Sequence, residues 1–337
     1  MSLLLQSFML FVAALVLTGV CRTVALRISL IDKPVARSAH SIPTPLGGGL
    51  AIVCLVLLAI SQYYRNGLVS VEEFAAVMAA GIVALIGIVD DFRSLNIGWR
   101  ISAQFFASIG VIYFLGDVPA IDFGFMQMSE SLLLNVLAVF SLIWLLNLFN
   151  FMDGIDGLAG GQLFFVSILT LFIVISSDNV LILLSATFAA AAAGFLFWNW
   201  PPAKIFMGDV GSSFIGFSLG VMALLSMHHG SMTVWTWVLL LGVFVVDATL
   251  TLAIRFKDKK RWYEGHATHA YQNAARYYKS HAKVTITLLL INFLWLGPLA
   301  WLTVQYTSAG LYITIIGLLP LVLLALRFGA GKEQFTL

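Results

Sequence analysis

Charge is scarce in this sequence. Asp, Glu, Lys and Arg make up 10% of its 337 residues, against about 25% in an average soluble domain. Hydrophobic residues make up 61%, and the mean hydropathy is +0.99. A soluble enzyme is excluded, and a net charge of +2 gives no reason to expect a nucleic-acid partner. Cysteine is scarcer still. Cys21 and Cys54 both lie in or beside apolar runs, which leaves no disulfide framework and no thiolate metal spacing. Residues 1–20 lack a basic leading segment and a small-x-small cleavage site, and Val20 before Cys21 is too bulky for lipoprotein processing. An uncleaved first span is expected there. Linkers, low-complexity tracts and internal repeats are also missing, so residues 1–337 read as a single integral membrane domain. The lack of repeats weighs against transporter folds built from duplicated halves.

What is abundant is long apolar runs. A spanning helix needs about 20 mostly apolar residues. Runs at 3–21, 46–64, 74–89, 100–116, 131–149, 163–177, 179–198, 212–227, 233–254, 284–304 and 309–326 predict an all-α, polytopic membrane helix bundle of about eleven transmembrane helices. The connections 22–45, 90–100, 150–162, 199–211, 255–283 and the tail 327–337 fall on one side. They hold 17 of the 18 Lys and Arg; Arg65 is the exception. The opposite connections carry Glu72, Glu73, Asp117, Asp122, Glu130 and Asp178. By the positive-inside rule the N-terminus is outside and the C-terminus cytoplasmic.

The polar groups inside this hydrocarbon gather on the basic side. The stretch 147–161 sets Asn147, Asn150, Asp153 and Asp156 three residues apart, framed by Gly154, Gly157, Gly160 and Gly161. On a helix, positions i and i+3 share a face, and glycines let backbone come close to a ligand. A carboxylate at the membrane edge is a functional-site hypothesis by default. Asp90-Asp91 ends another apolar run; adjacent carboxylates favour a bound cation or one raised pKa, or are simply solvated. Asn199 opens a connection that includes Lys204 and Gly208-Asp209-Val-Gly211-Ser212, a metal and phosphate site or an ordinary turn.

The first connection holds Asp32, Arg37, His40 and Gly47-Gly-Gly49, suited to ligand approach or to tight re-entry. The fifth is the most basic, with Arg255, Lys257, Lys259, Lys260 and Arg261, then His266 and His269. The basic cluster orients the chain or attracts anionic lipid. The two His could bind metal, diphosphate or nothing. Asp247 lies inside the ninth run, about 12 Å below Arg255 at 1.5 Å per residue, and serves helix pairing or catalysis equally well. His228-His229 falls on the opposite side and is set aside. Many carboxylates on one face, with basic groups nearby and few cysteines, suggest Mg²⁺ or Mn²⁺ holding a diphosphate.

These blocks resemble the polyprenyl-phosphate N-acetylhexosamine-1-phosphate transferase superfamily. The matching pieces are Asp90-Asp91, the run from Asn147 through Asp153-Gly-x-Asp156-Gly-Leu to Gly161, Phe197-x-Asn199 through Phe206-Met-Gly-Asp209-x-Gly-Ser212, and His266-x-x-His269, in the family's order. The resemblance implies transfer of a sugar 1-phosphate from a UDP-N-acetyl sugar to undecaprenyl phosphate, with release of UMP. It implies Mg²⁺, with Mn²⁺ as an alternative, in the cytoplasmic leaflet of the bacterial inner membrane, and leaves a homodimer open. It further implies a metal on Asp209 with Asp91, and Asp90 or Asp91 orienting or deprotonating the lipid phosphate. Asp153 and Asp156 would bind the nucleotide or help place the metal; Asn147, Asn150, Asn199, Lys204, Arg255, His266 and His269 would bind substrate. Arg93 stands where the family usually has Lys, and Ala270-Tyr271 follows where His-rich members carry more His. The chain therefore looks closer to the O-antigen-initiating branch than to the muramoyl-pentapeptide enzyme. A CDP-alcohol phosphotransferase would need an Ala-Arg after Asp-Gly and two more Asp on the next helix, which 163–177 lacks. An ion-coupled transporter would place carboxylates near the midplane and in both halves.

Overall fold

Backbone in hydrocarbon must satisfy its own N–H and C=O groups, so long apolar runs become helices. The computed structural model describes residues 2–34, 42–93, 95–260 and 266–332. Arg37, His40 and Arg261 lie outside the described residues. The first half of the chain forms α1 (Leu3–Arg27), α2 (Gly49–Arg65), α3 (Val71–Phe92), α4 (Ile97–Leu115), α5 (Ser131–Met152), α6 (Leu158–Val174) and α7 (Asn179–Asn199). The second forms α8 (Asp209–His228), α9 (Val234–Leu240), α10 (Gly242–Lys257), α11 (Ala270–Tyr278), α12 (His281–Ile291), α13 (Gly297–Gln305) and α14 (Gly310–Arg327). Among the described residues, strand is confined to two antiparallel pairs of two-residue strands, Ile31–Asp32 with Thr44–Pro45 and Ile121–Asp122 with Gln127–Met128. The chain is an all-α, multi-pass membrane protein. Among the described residues, eight helical stretches are long and apolar enough to cross a bilayer. One of them, 281–305, joins α12 to α13 through a π-turn at Asn292–Leu296.

Two expectations change. The run 233–254 is not one straight span: α9 and α10 meet at 80°. At the break Leu241 leaves helical geometry (φ −99°, ψ 6°), and Gly242 gives Leu296 and Leu318 room to pack where a Cβ would lie 3.1 and 2.9 Å from them. The carbonyl freed at Leu240 accepts the Gln162 amide at 2.8 Å, and Gln162 in turn accepts Asn292 at 2.6 Å. A broken helix survives in hydrocarbon only when its exposed carbonyl is met this way. The other is α11, a short helix at 270–278 within the connection 255–283, for which the apolar runs gave no helix.

Helix α8 is the hub. Of its central window 89% is buried, against 11% for the outlying α1. Small residues allow the close packing that stabilises helix pairs in lipid. Gly49 at the start of α2 and Gly211 on α8 meet backbone to backbone, so a Cβ on Gly49 would collide with the Gly211 Cα. On α3, a Cβ at Gly87 would lie 2.7 Å from the Val210 Cα. Both contacts hold the first turn of α8, where Asp209 sits.

The end of the bundle away from Asp209 has its own polar knot. His229, at the C-terminus of α8, points Nδ1 at Asp178 (2.9 Å) and Nε2 at Glu73 (2.9 Å), while Ser231 donates to Asp178 at 2.7 Å. Asp178 also caps α7 through the Leu181 N–H. Bonds to Asp178 and then Glu73 push the His229 imidazole from 6.5 up to about 10. A raised folded pKa stabilises fully below the unfolded value and ceases to do so as pH rises through the folded one. Thermal stability in detergent is therefore expected to fall between pH 6.5 and about 10. The loss should be about 1–2 kcal/mol, discounted because the side chain is 28% exposed. His229→Gln should be less stable at pH 6 and should flatten that dependence; an unchanged slope would rule the knot out as its source.

Candidate active site

The aspartates converge because three helix ends meet at one end of the bundle. Helix α5 stops at Met152 and leaves Asp153 at its C-cap. The chain then turns through Gly157, at φ +74°, into α6. Asn199 staples this turn, accepting the Gly157 N–H at 3.0 Å and donating to the Ile205 carbonyl at 3.0 Å. The 200–208 connection ends at Gly208, whose φ of +81° suits glycine and whose missing side chain leaves room for Asp91. Asp91 then accepts the backbone N–H groups of Asp209 (2.8 Å) and Val210 (3.2 Å). A carboxylate there satisfies orphan donors and favours the positive helix end, so Asp91 caps α8. Asp90 is bound too: Arg100 lies 2.8 Å away and the Leu95 N–H donates at 2.7 Å. Across a small cavity Asp90 meets Asp209.

Asp209 is oriented by Asn150, whose amide donates to it at 2.7 Å and approaches the Ser212 hydroxyl at 3.2 Å. Asp156 accepts the Ala203 N–H at 3.0 Å, lies 3.2 Å from His281 Nδ1, and takes the Thr285 hydroxyl on its carbonyl at 2.9 Å. It ties the turn to α12 and to the 200–208 connection. Asp153 differs: among the described residues no protein donor meets its carboxylate. Burial, then the charges of Asp209, Asp91 and Asp156, hold this carboxyl well above the usual range.

A cavity of about 270 Å³ opens onto Asn150, Asp153, Asp156, Asp209, Ser212 and His266. Beside it lies a cleft of about 630 Å³ that shares Asp156 and His281 and carries Arg276 and Lys279 on its rim. Acid floor and basic rim thus adjoin. The two histidines of the fifth connection stack at 5.0 Å, and only His266 is in the cavity wall among the described residues. Burial, then His269 and Arg255, push the His266 imidazole down to about 3, so it meets the cavity neutral. His269 is held by Asp247 at 3.2 Å. The same carboxylate accepts the Ala270 and Tyr271 N–H groups at 3.0 and 2.8 Å, capping α11. Asp247 therefore supports the His pair from beneath.

Other singled-out residues lie away from this cavity. Asn147 donates to Ile143 (2.7 Å) and to Gln104 on α4 (3.2 Å). Arg255 is buried and donates to Thr268 at 3.4 Å. Lys204 points its ammonium at the rings of Phe197 and Trp198. Conversely, Gln272 and His281 line the main cavity, and Arg100 the small cavity between Asp90 and Asp209, without having been singled out as site residues. Arg100 was visible as a basic residue ten positions after Asp90; His281 carried no sequence signal.

The donor set can be judged for a cation. Asp153, Asp209, the Asn150 amide and the Ser212 hydroxyl supply oxygen, the chemistry Mg²⁺ takes. Among the described residues no group of three or more His, Cys, Asp or Glu is placed to hold a metal alone. Mg²⁺ commonly uses one or two carboxylates and completes its shell with water and substrate phosphate. The residues fit that pattern and exclude a closed, zinc-like centre.

Residues 73–227 match the family model described as Glycosyl transferase family 4. The chain is 28% identical over 329 residues to the probable undecaprenyl-phosphate N-acetylglucosaminyl 1-phosphate transferase of Bacillus subtilis strain 168, covering 95% of this chain and 90% of that one. It is 29% identical to the decaprenyl-phosphate N-acetylglucosaminephosphotransferase of Mycolicibacterium smegmatis, covering 84% and 77%. It is 32% identical over 228 residues to the phospho-N-acetylmuramoyl-pentapeptide-transferase of a Wolbachia from Brugia malayi, covering 63% and 67%. With these matches over the same helices that build the aspartate cavity, the chain belongs to glycosyl transferase family 4, the polyprenyl-phosphate hexosamine-1-phosphate transferase superfamily.

Proposed function

We propose that the protein transfers an N-acetylhexosamine 1-phosphate from a UDP-sugar to undecaprenyl phosphate, releasing UMP, at the cytoplasmic face of the bacterial inner membrane. The lipid-diphosphate sugar formed would start O-antigen or a related surface polysaccharide. The observation that carries this reading is Asp153, a carboxylate with no protein donor among the described residues, facing Asp209 in an acid-floored, basic-rimmed cavity at one end of a membrane bundle. Relatives named for N-acetylglucosamine match 84–95% of the chain and the muramoyl-pentapeptide relative 63%, which favours an N-acetylglucosamine-like donor.

In this reading an oxygen of the lipid phosphate attacks the β-phosphorus of the UDP-sugar. The bond from that phosphorus to the bridging oxygen breaks, and UMP leaves with the electron pair. Both reactants are anionic, so the barrier is largely electrostatic. Asp209 and Asp153 would hold Mg²⁺, which when bound supplies charge neutralisation to the diphosphate and the leaving UMP. Because the Asp91 oxygens are occupied by the start of α8, the second metal ligand in this proposal is Asp153 rather than Asp91. Asn150 orients Asp209, and Asp91 fixes its height above α8. The Asp90–Arg100 pair sets the far wall, where the lipid phosphate would be steered. Neutral His266 offers a hydrogen bond, while Arg276 and Lys279 attract the nucleotide to the rim.

The test is UMP release by the detergent-solubilised protein with Mg²⁺, undecaprenyl phosphate and a panel of UDP-N-acetyl sugars. UMP that depends on lipid, metal and one donor is expected. Folded protein that releases none from any donor would overturn the reading and favour the transporter alternative.

A further inference from the structure

Lys204 leaves a question: what holds two cations together at the bundle's edge? Trp198, in the last turn of α7, is a fixed plate. Its indole N–H donates to the Leu15 carbonyl at 2.9 Å, and its ring lies over Gly19, where a Cβ would come within 2.9 Å. Arg22 on α1 and Lys204 after α7 both reach this ring, at 5.9 and 5.7 Å from its centroid. Arg22 spends its Nε–H on the Lys204 carbonyl at 3.2 Å, which orients the guanidinium and leaves its two terminal nitrogens for a ligand. Among the described residues no carboxylate pairs with either cation. Two cations from positions 182 residues apart thus gather at one ring, and an anion within reach of both would offset their mutual repulsion.

The depth identifies the anion. Arg22 stands five residues before the end of α1, about 7.5 Å along the axis, level with the last turn of α7. Phe197 and Trp200 beside it are exposed, as aromatic residues are where hydrocarbon gives way to headgroups. A water-borne phosphate has no reason to enter at this depth; a lipid phosphodiester resides there. We infer that Arg22, Lys204 and the Trp198 plate form a binding site for the phosphate of an anionic phospholipid at the α1–α7 edge, separate from the aspartate cavity. An oriented guanidinium grips two phosphate oxygens, the ammonium neutralises the remaining charge, and the indole carries the glycerol and first methylenes.

Phospholipid retention by the full-length, detergent-solubilised protein, read by native mass spectrometry, tests this independently of transferase activity. Phosphatidylglycerol is expected to be retained over phosphatidylcholine, with about five-fold of that preference owed to each cation. Arg22→Gln and Lys204→Gln should each remove their share, and the double variant should lose about twenty-five-fold. Trp198→Phe, which keeps a ring but loses the Leu15 anchor, should lose part. Three results would overturn the inference. One is a double variant, equally stable in lipid-free detergent, that keeps the preference. Another is displacement of phosphatidylglycerol by millimolar inorganic phosphate, which would make the ligand a free anion. The last is stronger retention of undecaprenyl phosphate than of phosphatidylglycerol through the same two cations, which would make the site part of the reaction path.

Discussion

Asp209→Asn is expected to lower UMP release by about 10³-fold while leaving the protein folded. The change keeps size and shape, and Asn150 can turn its own amide to bond the new side chain, so packing around α8 should survive. What disappears is one of two carboxylates proposed to hold the cation. Metal-borne charge stabilisation is worth several kcal/mol, about 10²–10³ in rate. Two companion measurements separate this from general damage. Without divalent metal, the acid floor is a cluster of like charges, and burial with those charges already holds the Asp153 carboxyl well above the usual range. Removing one charge should relieve that repulsion, so Asp209→Asn and Asp153→Asn should unfold at least as high as the wild type in chelator. Adding Mg²⁺ should raise the midpoint of the wild type and barely move either variant. Equal Mg²⁺ stabilisation of all three proteins would mean that the cation binds elsewhere and that the assignment to Asp209 and Asp153 is wrong.

The all-α bundle was legible because hydrocarbon length is a coarse signal, although among the described residues eight stretches, or nine with the bent pair, are long and apolar enough to cross a bilayer where about eleven were expected. Each of the eleven apolar runs coincides with helix. What the runs hid was the break at Leu241. Nothing in Leu240-Leu241-Gly242 looks unlike a continuous span, and the Gln162 and Asn292 side chains that satisfy the freed carbonyl come from helices far along the chain. The aspartate convergence was legible for a related reason: polar groups in an apolar chain have few places to go. Their division of labour was not. Asp153 and Asp156 read alike and the resemblance put a metal on Asp91, yet Asp91 caps α8, Asp90 meets Arg100, Asp156 braces a turn, and Asp153 alone of the four faces the cavity without a protein donor among the described residues. Which carboxylate is consumed by backbone N–H groups depends on helix ends from other parts of the chain, and spacing carries no record of that. Lys204 shows that position in sequence does not give direction: a lone Lys beside Gly208-Asp209 suggests a place at the same site, but the backbone turns it outward onto Phe197 and Trp198.

Asp247 separates structure from chemistry most sharply. A carboxylate within an apolar helix invites a catalytic reading, but here it is buried and accepts from the Ala270 and Tyr271 N–H groups, from His269 and from Thr251 at 3.2 Å. Asp247→Ala would leave two backbone donors and an imidazole buried without partners, at a cost of about 3–5 kcal/mol, or about 5–10 °C in the unfolding midpoint. Asp247→Asn retains an oxygen for one N–H but turns a donor toward the others, so it should fall between. Activity should decline in the same order. Once α11 loosens, Tyr271 can no longer reach the Phe151 carbonyl (2.9 Å), and the packing of its hydroxyl against Gly154, beside Asp153, is lost. A residue that acted on substrate would behave differently, since the isosteric Asn would abolish turnover while the midpoint stayed put. Loss of rate that follows loss of midpoint through Ala and Asn, with partial recovery in Asn at low temperature, would establish Asp247 as the support of the His266–His269 pair and not a member of the reaction.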